Sequence, residues 1–227
     1  MLNDFVSLTF PKVCAACGKS LFKNEESICM YCLYHLPKTN FHLHSDNPVI
    51  KLFWGRADIF SASSLYLFTK GSKVQKLIHQ LKYRGKKEIG ISLGKHYGKE
   101  LKISPLFSPV NLVIPVPLHP KKLKKRGYNQ SETFALGIAE SMKTENGSDI
   151  IIRASISETQ TKKSRFARWK NVEEIFRVIA PEKLQDKHIL LVDDVVTTGS
   201  TLEACASKIL EVSGTKVSVA TIATTMY

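Results

Sequence analysis

The sequence predicts an α/β protein with a doubly wound parallel sheet and a small cysteine-rich module before it. Apolar strands alternate with amphipathic helices along the carboxy-terminal half, which is the order of a parallel sheet covered by helices. Four of the five cysteines lie within the first 32 residues. The length of 227 residues suits one ordinary domain and a small appendage. We therefore place a four-cysteine metal module at residues 1–45 and the main domain at 46–227.

The cysteines form two C-x-x-C pairs separated by eleven residues, namely Cys14, Cys17, Cys29 and Cys32. Each pair can present two thiolates in a tight knuckle, and two knuckles complete a tetrahedral four-sulfur zinc site. Such a site is structural, because four thiolates leave no open position for a substrate. Two disulfides or four unrelated thiols are the alternatives, and disulfides conflict with a cytoplasmic protein.

The first half of the main domain is predicted to contain a linker, a strand and two helices, at 40–58, 61–68, 72–82 and 88–102. In the first helix, apolar residues recur with the i, i+3, i+4, i+7 spacing of a buried helix face, at Val74, Leu77, Ile78 and Leu81. Ser72 is a suitable N-cap for it.

The second half alternates strands with helices. Apolar runs predict strands at 112–117, 150–154, 188–192 and 216–223. Amphipathic stretches predict helices at 131–143 and 200–213. This alternation indicates parallel strands joined by crossover helices.

The net charge of +13 is the most informative feature of the composition. Residues 1–50 hold four basic and four acidic residues, so residues 51–227 carry the whole excess. Such a surface attracts nucleic acid, phosphorylated metabolites or an anionic membrane. The 43% hydrophobic content excludes a mainly disordered chain. No apolar run reaches the length of a membrane span, and the first residues lack a signal peptide, so we expect a cytoplasmic protein.

One segment carries the strongest chemical signal. The apolar run 189–192 ends in Asp193 and Asp194, and a polar loop follows that opens a helix, containing Thr197, Thr198, Gly199, Ser200 and Thr201. A loop of this kind offers backbone N–H groups, hydroxyls and a helix dipole to a phosphate. Two adjacent carboxylates suit the two neighbouring hydroxyls of a ribose, with Mg²⁺ nearby. The alternative is a helix N-cap with two acidic residues close to it.

This segment resembles the 5-phosphoribosyl-1-pyrophosphate (PRPP) signature of type I phosphoribosyltransferases. The resemblance implies their doubly wound fold and PRPP with Mg²⁺ as ligands. It also implies that Asp193 and Asp194 hold the ribose hydroxyls, while residues 197–201 hold the 5′-phosphate.

A narrower resemblance covers nearly the whole chain. The segments IPVPLHPKKLKKRGYNQSE (114–132), LKYRG (81–85) and TQT (159–161), Asn171 with Phe176, and the double C-x-x-C resemble the ComF family. That resemblance implies a role in DNA uptake and natural transformation, contact with single-stranded DNA and an unassigned acceptor substrate. A competence helicase or another uptake protein is a possible partner.

Several cations are candidates for anion contacts. The stretch after the 112–117 strand, predicted as a loop at the same sheet edge as Asp193, carries His119, Lys121 and Arg126. Its alternatives are a solvated basic loop and, for His119, a turn-stabilising role. Lys82 and Arg84, with Tyr83 between them, form a second basic patch, and a solvated helix face is the alternative. In type I phosphoribosyltransferases a mobile lid closes over PRPP, and by position residues 155–176 would bring Lys163 and Arg165 onto the leaving pyrophosphate.

Four functions stay open at this point. The protein is a Mg²⁺-dependent phosphoribosyltransferase of unknown acceptor, or a phosphoribosyltransferase of nucleobase salvage. It is otherwise a non-catalytic PRPP-sensing or single-stranded-DNA-binding competence factor, or a protein whose cysteine module docks a partner. No dedicated general base stands out, so the residues leave turnover undecided.

Overall fold

The computed structural model describes residues 11–153 and 175–225, which contain a five-stranded parallel sheet with helices on both faces. The order of the strands across the sheet is β1 (Ile59–Leu67), β7 (Lys216–Thr224), β6 (His188–Val196), β2 (Leu112–Pro115) and β3 (Glu145–Asn146). A separate antiparallel pair joins β4 (Ile151–Arg153) to β5 (Phe176–Val178).

Seven helices accompany these strands in the described part of the chain. They are α1 (Met30–His35), α2 (Pro48–Lys51), α3 (Lys73–Tyr83), α4 (Lys87–Ile103), α5 (Pro120–Arg126), α6 (Gln130–Met142) and α7 (Ser200–Leu210). Short 3-10 turns lie at Phe41–Leu43 and Pro181–Lys183. None of the described helices is both long and apolar enough to cross a bilayer.

The predicted doubly wound sheet is confirmed by the way alternate residues of β6 enter two different cores. Leu190 and Val192 pack with α3, α4 and α6, whereas Ile189 and Leu191 pack with α2 and α7. Successive side chains of a strand point to opposite faces, so a run buried on both sides is apolar throughout. This explains why the 189–192 segment shows no polar alternation.

Helices α4 and α6 pack unusually closely because glycines face each other. A Cβ atom on Gly94 would lie 2.2 Å from the carbonyl oxygen of Phe134, and one on Gly137 would lie 2.3 Å from that of Ile91. No side chain fits at such distances. The contact fixes α6, whose first turn lies at the candidate site.

The cysteine module shares its core with the main domain. Cys14, Cys29 and Leu33 are buried in the same apolar cluster as α3 and α4. Gln80 of α3 also donates to the carbonyl oxygen of Ala15 at 2.6 Å. The division of the chain at residue 45 stays a prediction.

Two sequence predictions are wrong in detail. Residues 40–58 are not a linker: Asn47 caps α2 by accepting from the backbone N–H groups of Val49 and Ile50, and Phe53 is buried. Pro48 occupies the first turn of α2, where a missing N–H is harmless, so it starts structure instead of interrupting it. The basic stretch after β2 is the helix α5, not a loop.

The predicted 150–154 strand forms, but it pairs with β5 outside the parallel sheet. The short β3 takes the sheet position beside β2 instead. Lys163 and Arg165 of the predicted lid lie outside the described residues.

Candidate functional site

The acidic pair lies at the carboxyl end of β6, the central strand of the parallel sheet. Asp193 is in register with Thr221 of β7. On the other side β2 ends at Pro115 opposite Val192, and the N–H of Val116 donates to the carbonyl oxygen of Val192 at 2.8 Å. Ligands of open α/β sheets bind beyond the carboxyl ends of the strands. The predicted placement of the stretch after β2 at the same sheet edge as Asp193 is thus confirmed.

Asp193 is held by α6 and by its own neighbour. Its Oδ1 accepts from the hydroxyl of Ser131 and from the backbone N–H of Asp194, both at 2.8 Å. Loss of solvation and the adjacent Asp194 carboxylate raise the pKa of Asp193 to about 7, although these hydrogen bonds and Lys82 act in the opposite direction.

Asp194 is buried and pairs with Lys82 of α3, whose Nζ lies 2.7 Å from its Oδ1. Its other oxygen, Oδ2, is buried with no hydrogen-bond partner among residues 11–153 and 175–225. A buried carboxylate oxygen without a donor is unfavourable by roughly 1–3 kcal/mol or more. This oxygen is therefore an acceptor that a ligand hydroxyl or a cation would satisfy.

The polar loop after β6 forms the start of α7. Gly199 has φ +78°, a conformation that side chains disfavour, and a Cβ there would meet Phe53 at 3.3 Å. A small cavity of about 50 Å³ is lined by Asp193 and residues 195–202. The first N–H groups of an 11-residue helix have no intrahelical acceptors, so this cavity suits a phosphate group.

Arg56 holds this loop from the α2 side. Its guanidinium donates to the carbonyl oxygen of Thr198 at 2.9 Å and to the hydroxyl of Ser200 at 3.3 Å, and it forms an ion pair with Glu203. It also donates to the carbonyl oxygen of Leu52 at 3.0 Å. Arg56 is therefore a positioning residue that ties the start of α7 to the preceding segment.

Two helix caps shape the segment between β2 and α6. His119 caps α5, because its Nδ1 accepts from the backbone N–H of Lys121. Of the two roles considered for His119, the structure therefore shows the one that stabilises the turn. Asn129 caps α6, because its Oδ1 accepts from the backbone N–H of Ser131. Its side-chain NH₂ donates to the carbonyl oxygen of Val116 at 3.0 Å. These contacts place Ser131 against Asp193.

A second, larger cavity of about 300 Å³ lies between α3 and α5. We call it the basic groove, and its lining residues are Lys82, Tyr83, Gly85, Lys122, Lys125 and Arg126. Of the five predicted anion contacts, Lys82 and Arg126 line it. Arg84 is the exposed C-cap of α3, His119 is the N-cap of α5, and Lys121 lies in the first turn of α5.

The four cysteines converge as the spacing predicts. Their sulfur atoms all lie within 4.8 Å of one another, and the Sγ atoms of Cys17 and Cys29 are 3.8 Å apart. Sulfurs bound tetrahedrally to zinc are about 3.8 Å apart. Burial raises the pKa of Cys29 and Cys32. Burial acts the same way on Cys14, but hydrogen bonds from backbone N–H groups outweigh it and lower the Cys14 pKa to about 7. Such a cluster becomes fully ionised only around a cation, so the donor set fits a metal ion.

Sequence reasoning missed Arg56 and Ser131. Arg56 lies 142 residues from Thr198 in the chain, and no local pattern connects them. Ser131 follows a recognisable cap residue, Asn129, so a helix start was visible there. Its contact with Asp193 depends on how closely α6 packs on the sheet.

Comparison with known proteins agrees with this geometry. Residues 129–226 match the phosphoribosyl transferase domain family. The chain is 30% identical over 206 residues to the DNA utilization protein YhgH of Escherichia coli O157:H7, covering 87% of this chain and 84% of the relative. It is 33% identical over 103 residues to competence protein F of Haemophilus influenzae, covering 45% and 44% of the two chains.

Replacing Arg56 should loosen the start of α7. We expect Arg56→Gln to speed amide hydrogen exchange about tenfold at residues 203–205, whose N–H groups donate to the first carbonyls of α7, because charge-assisted hydrogen bonds that hold this helix start are lost. The matched control is Arg177→Gln, which removes an exposed arginine of β5. Equal exchange in both variants would remove the positioning role of Arg56.

Asp193 should make the protein less stable at high pH. Its pKa in the folded protein, about 7, lies above its unfolded value, so the folded state binds more protons between about pH 4 and 7. Its contribution to the free energy of unfolding is full below pH 4 and is lost as the pH rises through 7. We expect Asp193→Asn to raise Tm by about 2–4 °C at pH 8 and little at pH 4. The control is the exposed Asp58→Asn, and a pH-independent effect of Asp193→Asn contradicts the prediction.

Proposed function

Because this chain belongs to the ComF family and carries a phosphoribosyl transferase domain, we propose that it binds PRPP, with Mg²⁺, at the acidic pair and the start of α7. One observation carries the proposal: Asp193 and Asp194 lie at the end of the central strand beside a helix-start cavity that includes residues 197–201. Asp193 lines this cavity, and Asp194 is the next residue of the strand.

In this proposal each of the two carboxylates binds a different hydroxyl of the ribose. Asp194 has a buried oxygen without a donor among the described residues, and a ribose hydroxyl satisfies it. Asp193 keeps its place through Ser131 while its carboxylate accepts from the neighbouring hydroxyl. The N–H groups and hydroxyls of residues 197–201 take the 5′-phosphate. Mg²⁺, when bound, neutralises part of the pyrophosphate charge.

Transfer of the phosphoribosyl group to an acceptor is the enzymatic form of this proposal. Departure of pyrophosphate places negative charge near the cations of α3 and α5, and fixed cations stabilise developing charge. Lys163 and Arg165 are proposed to add to them from the 155–176 segment. PRPP sensing without turnover and nucleobase salvage are the alternatives, and product analysis with labelled PRPP separates the three.

We further propose that the protein supports DNA uptake from the cytoplasm and contacts single-stranded DNA, with an uptake protein as a possible partner. Two relatives are named for DNA utilization and for competence. The whole excess of 13 positive charges lies outside the first 50 residues, and the basic groove concentrates part of it near the PRPP site. Zinc is the proposed ion of the cysteine cluster, because four thiolates at this spacing suit it.

Removing both acids should abolish PRPP binding. Calorimetric titration with Mg²⁺ and PRPP should show binding to the unaltered protein, and we expect Asp193→Ala with Asp194→Ala to weaken it at least 100-fold. The estimate follows from two charged hydrogen-bond acceptors at about 1.5–3 kcal/mol each.

The zinc content of the double variant is the control for this test. Elemental analysis should give one zinc ion per chain before and after the double substitution, because the cysteine cluster is built from other residues. Unchanged PRPP affinity in a variant that keeps its zinc and unfolds cooperatively overturns the proposed site.

Binding of single-stranded DNA should depend strongly on salt. Titration of a labelled thymidine dodecanucleotide from 50 to 300 mM KCl should give a log–log slope of about −3, if the four groove cations each contact one phosphate. No binding at 50 mM, or binding that salt does not weaken, contradicts a surface that follows phosphates.

A further inference from the structure

The basic groove has the chemistry of a ligand site of its own. Its volume of about 300 Å³ lies at the lower end of the range for small-molecule pockets. Four cations line it, and no carboxylate among residues 11–153 and 175–225 lies within ion-pair distance of Lys122, Lys125 or Arg126. Clustered cations without acidic partners repel one another, so an anion stabilises them.

The groove also offers a flat surface. The side chain of Tyr83 is 66% exposed, and the guanidinium of Arg126 lies over its ring, 5.5 Å from the centroid. The hydrogen bond of Arg126 to Gln130 and the ring of His79, 4.9 Å from Tyr83, hold this pair in place. A planar base stacks on an arrangement of this kind.

Lys82 contacts both the acidic pair and the basic groove. Its ammonium group lies 2.7 Å from the Oδ1 of Asp194, and its side chain lines the groove. One ammonium group therefore stands between the acidic pair and the other groove cations, on the last turn of α3.

We propose that the basic groove binds a nucleotide unit, with its phosphate on Lys122 and Lys125 and its base on Tyr83, and that Lys82 couples this site to the acidic pair. The ligand class follows from the combination of phosphate-binding cations with an exposed aromatic ring. A free nucleotide and one unit of a strand share this chemistry. The coupling rests on the proposed PRPP site, and the groove deepens the proposed contact with single-stranded DNA.

The sign of the coupling follows from the ion pair. While Lys82 pairs with Oδ1 of Asp194, it neutralises the carboxylate and makes Oδ2 a weaker acceptor for a ribose hydroxyl. A phosphate in the groove draws the ammonium group towards itself and leaves Asp194 available. Occupancy of the groove therefore strengthens PRPP binding, and by linkage PRPP strengthens groove binding by the same factor.

The groove is tested first, without PRPP. Thymidine 5′-monophosphate and a thymidine hexanucleotide are titrated in parallel into the full-length protein. We expect Lys125→Ala to weaken binding about fivefold or more, because a charged contact to phosphate is lost. Lys124→Ala is the matched control, since it removes the same charge from an exposed position of α5 that does not line the groove.

The aromatic part is tested with Tyr83. Tyr83→Ala should weaken binding fivefold or more, and Tyr83→Phe should retain it, because stacking needs the ring and not the hydroxyl. Binding of the mononucleotide identifies a free nucleotide as ligand, and binding of the hexanucleotide alone identifies a strand. Failure of both probes, or equal losses in the Lys124 and Lys125 variants, overturns the groove.

The coupling is then measured as the affinity for Mg²⁺ and PRPP with and without a saturating groove ligand. We expect a gain of about fivefold in the unaltered protein. Lys82→Gln keeps a hydrogen-bond donor beside Asp194 but loses the charge, so the gain should vanish, and Lys82→Arg should restore it. A gain that survives in Lys82→Gln, or mutual exclusion of the two ligands, overturns the coupling. Absence of PRPP binding in every arm counts against the proposed function alone.

Discussion

Two adjacent carboxylates at the end of a buried strand are the constraint around which the site is organised. Burial and mutual repulsion oppose the charge of Asp193 and Asp194, as the raised pKa of Asp193 shows. Among the described residues, one side chain donates to each carboxylate: the Ser131 hydroxyl from α6 to Asp193 and the Lys82 ammonium group from α3 to Asp194. Close packing of α6 on α4 through Gly94 and Gly137 is what brings the first of these within reach. The close packing of the two helices therefore also places the hydroxyl that stabilises the charge of Asp193.

The donors among the described residues satisfy the two carboxylates only in part. One oxygen of Asp194 lacks a partner among residues 11–153 and 175–225, and Lys82 is the only cation within 4 Å of either carboxylate there. The other cations of the groove, Lys122, Lys125 and Arg126, lie on α5. In the described part of the chain, these three cations therefore form no ion pair with Asp193 or Asp194. An arrangement of this kind favours a ligand that carries both hydroxyls and phosphates.

Sequence reasoning reached the sheet, the acidic pair and the cysteine cluster because each is encoded locally. An apolar run ending in Asp193, a glycine at a helix start and a C-x-x-C spacing can all be read within a few residues. The role of Arg56 was not visible, since its contacts are set by how α2 meets α7. The segment around Pro48 was misjudged for a related reason: proline and glycine mark a helix start as readily as a linker, and only the burial of Phe53 decides between them.

Helix α3 contacts the cysteine module, the acidic pair and the basic groove. Gln80 donates to the cysteine module at Ala15, and Lys82 two residues later reaches Asp194. Tyr83, the last residue of the helix, lines the basic groove. Because Leu77, Ile78 and Leu81 anchor the opposite face in the core shared with the cysteines, the helix position depends on that module being intact. The neutral module at the amino end therefore contributes to the charged site through packing, without supplying any charge of its own.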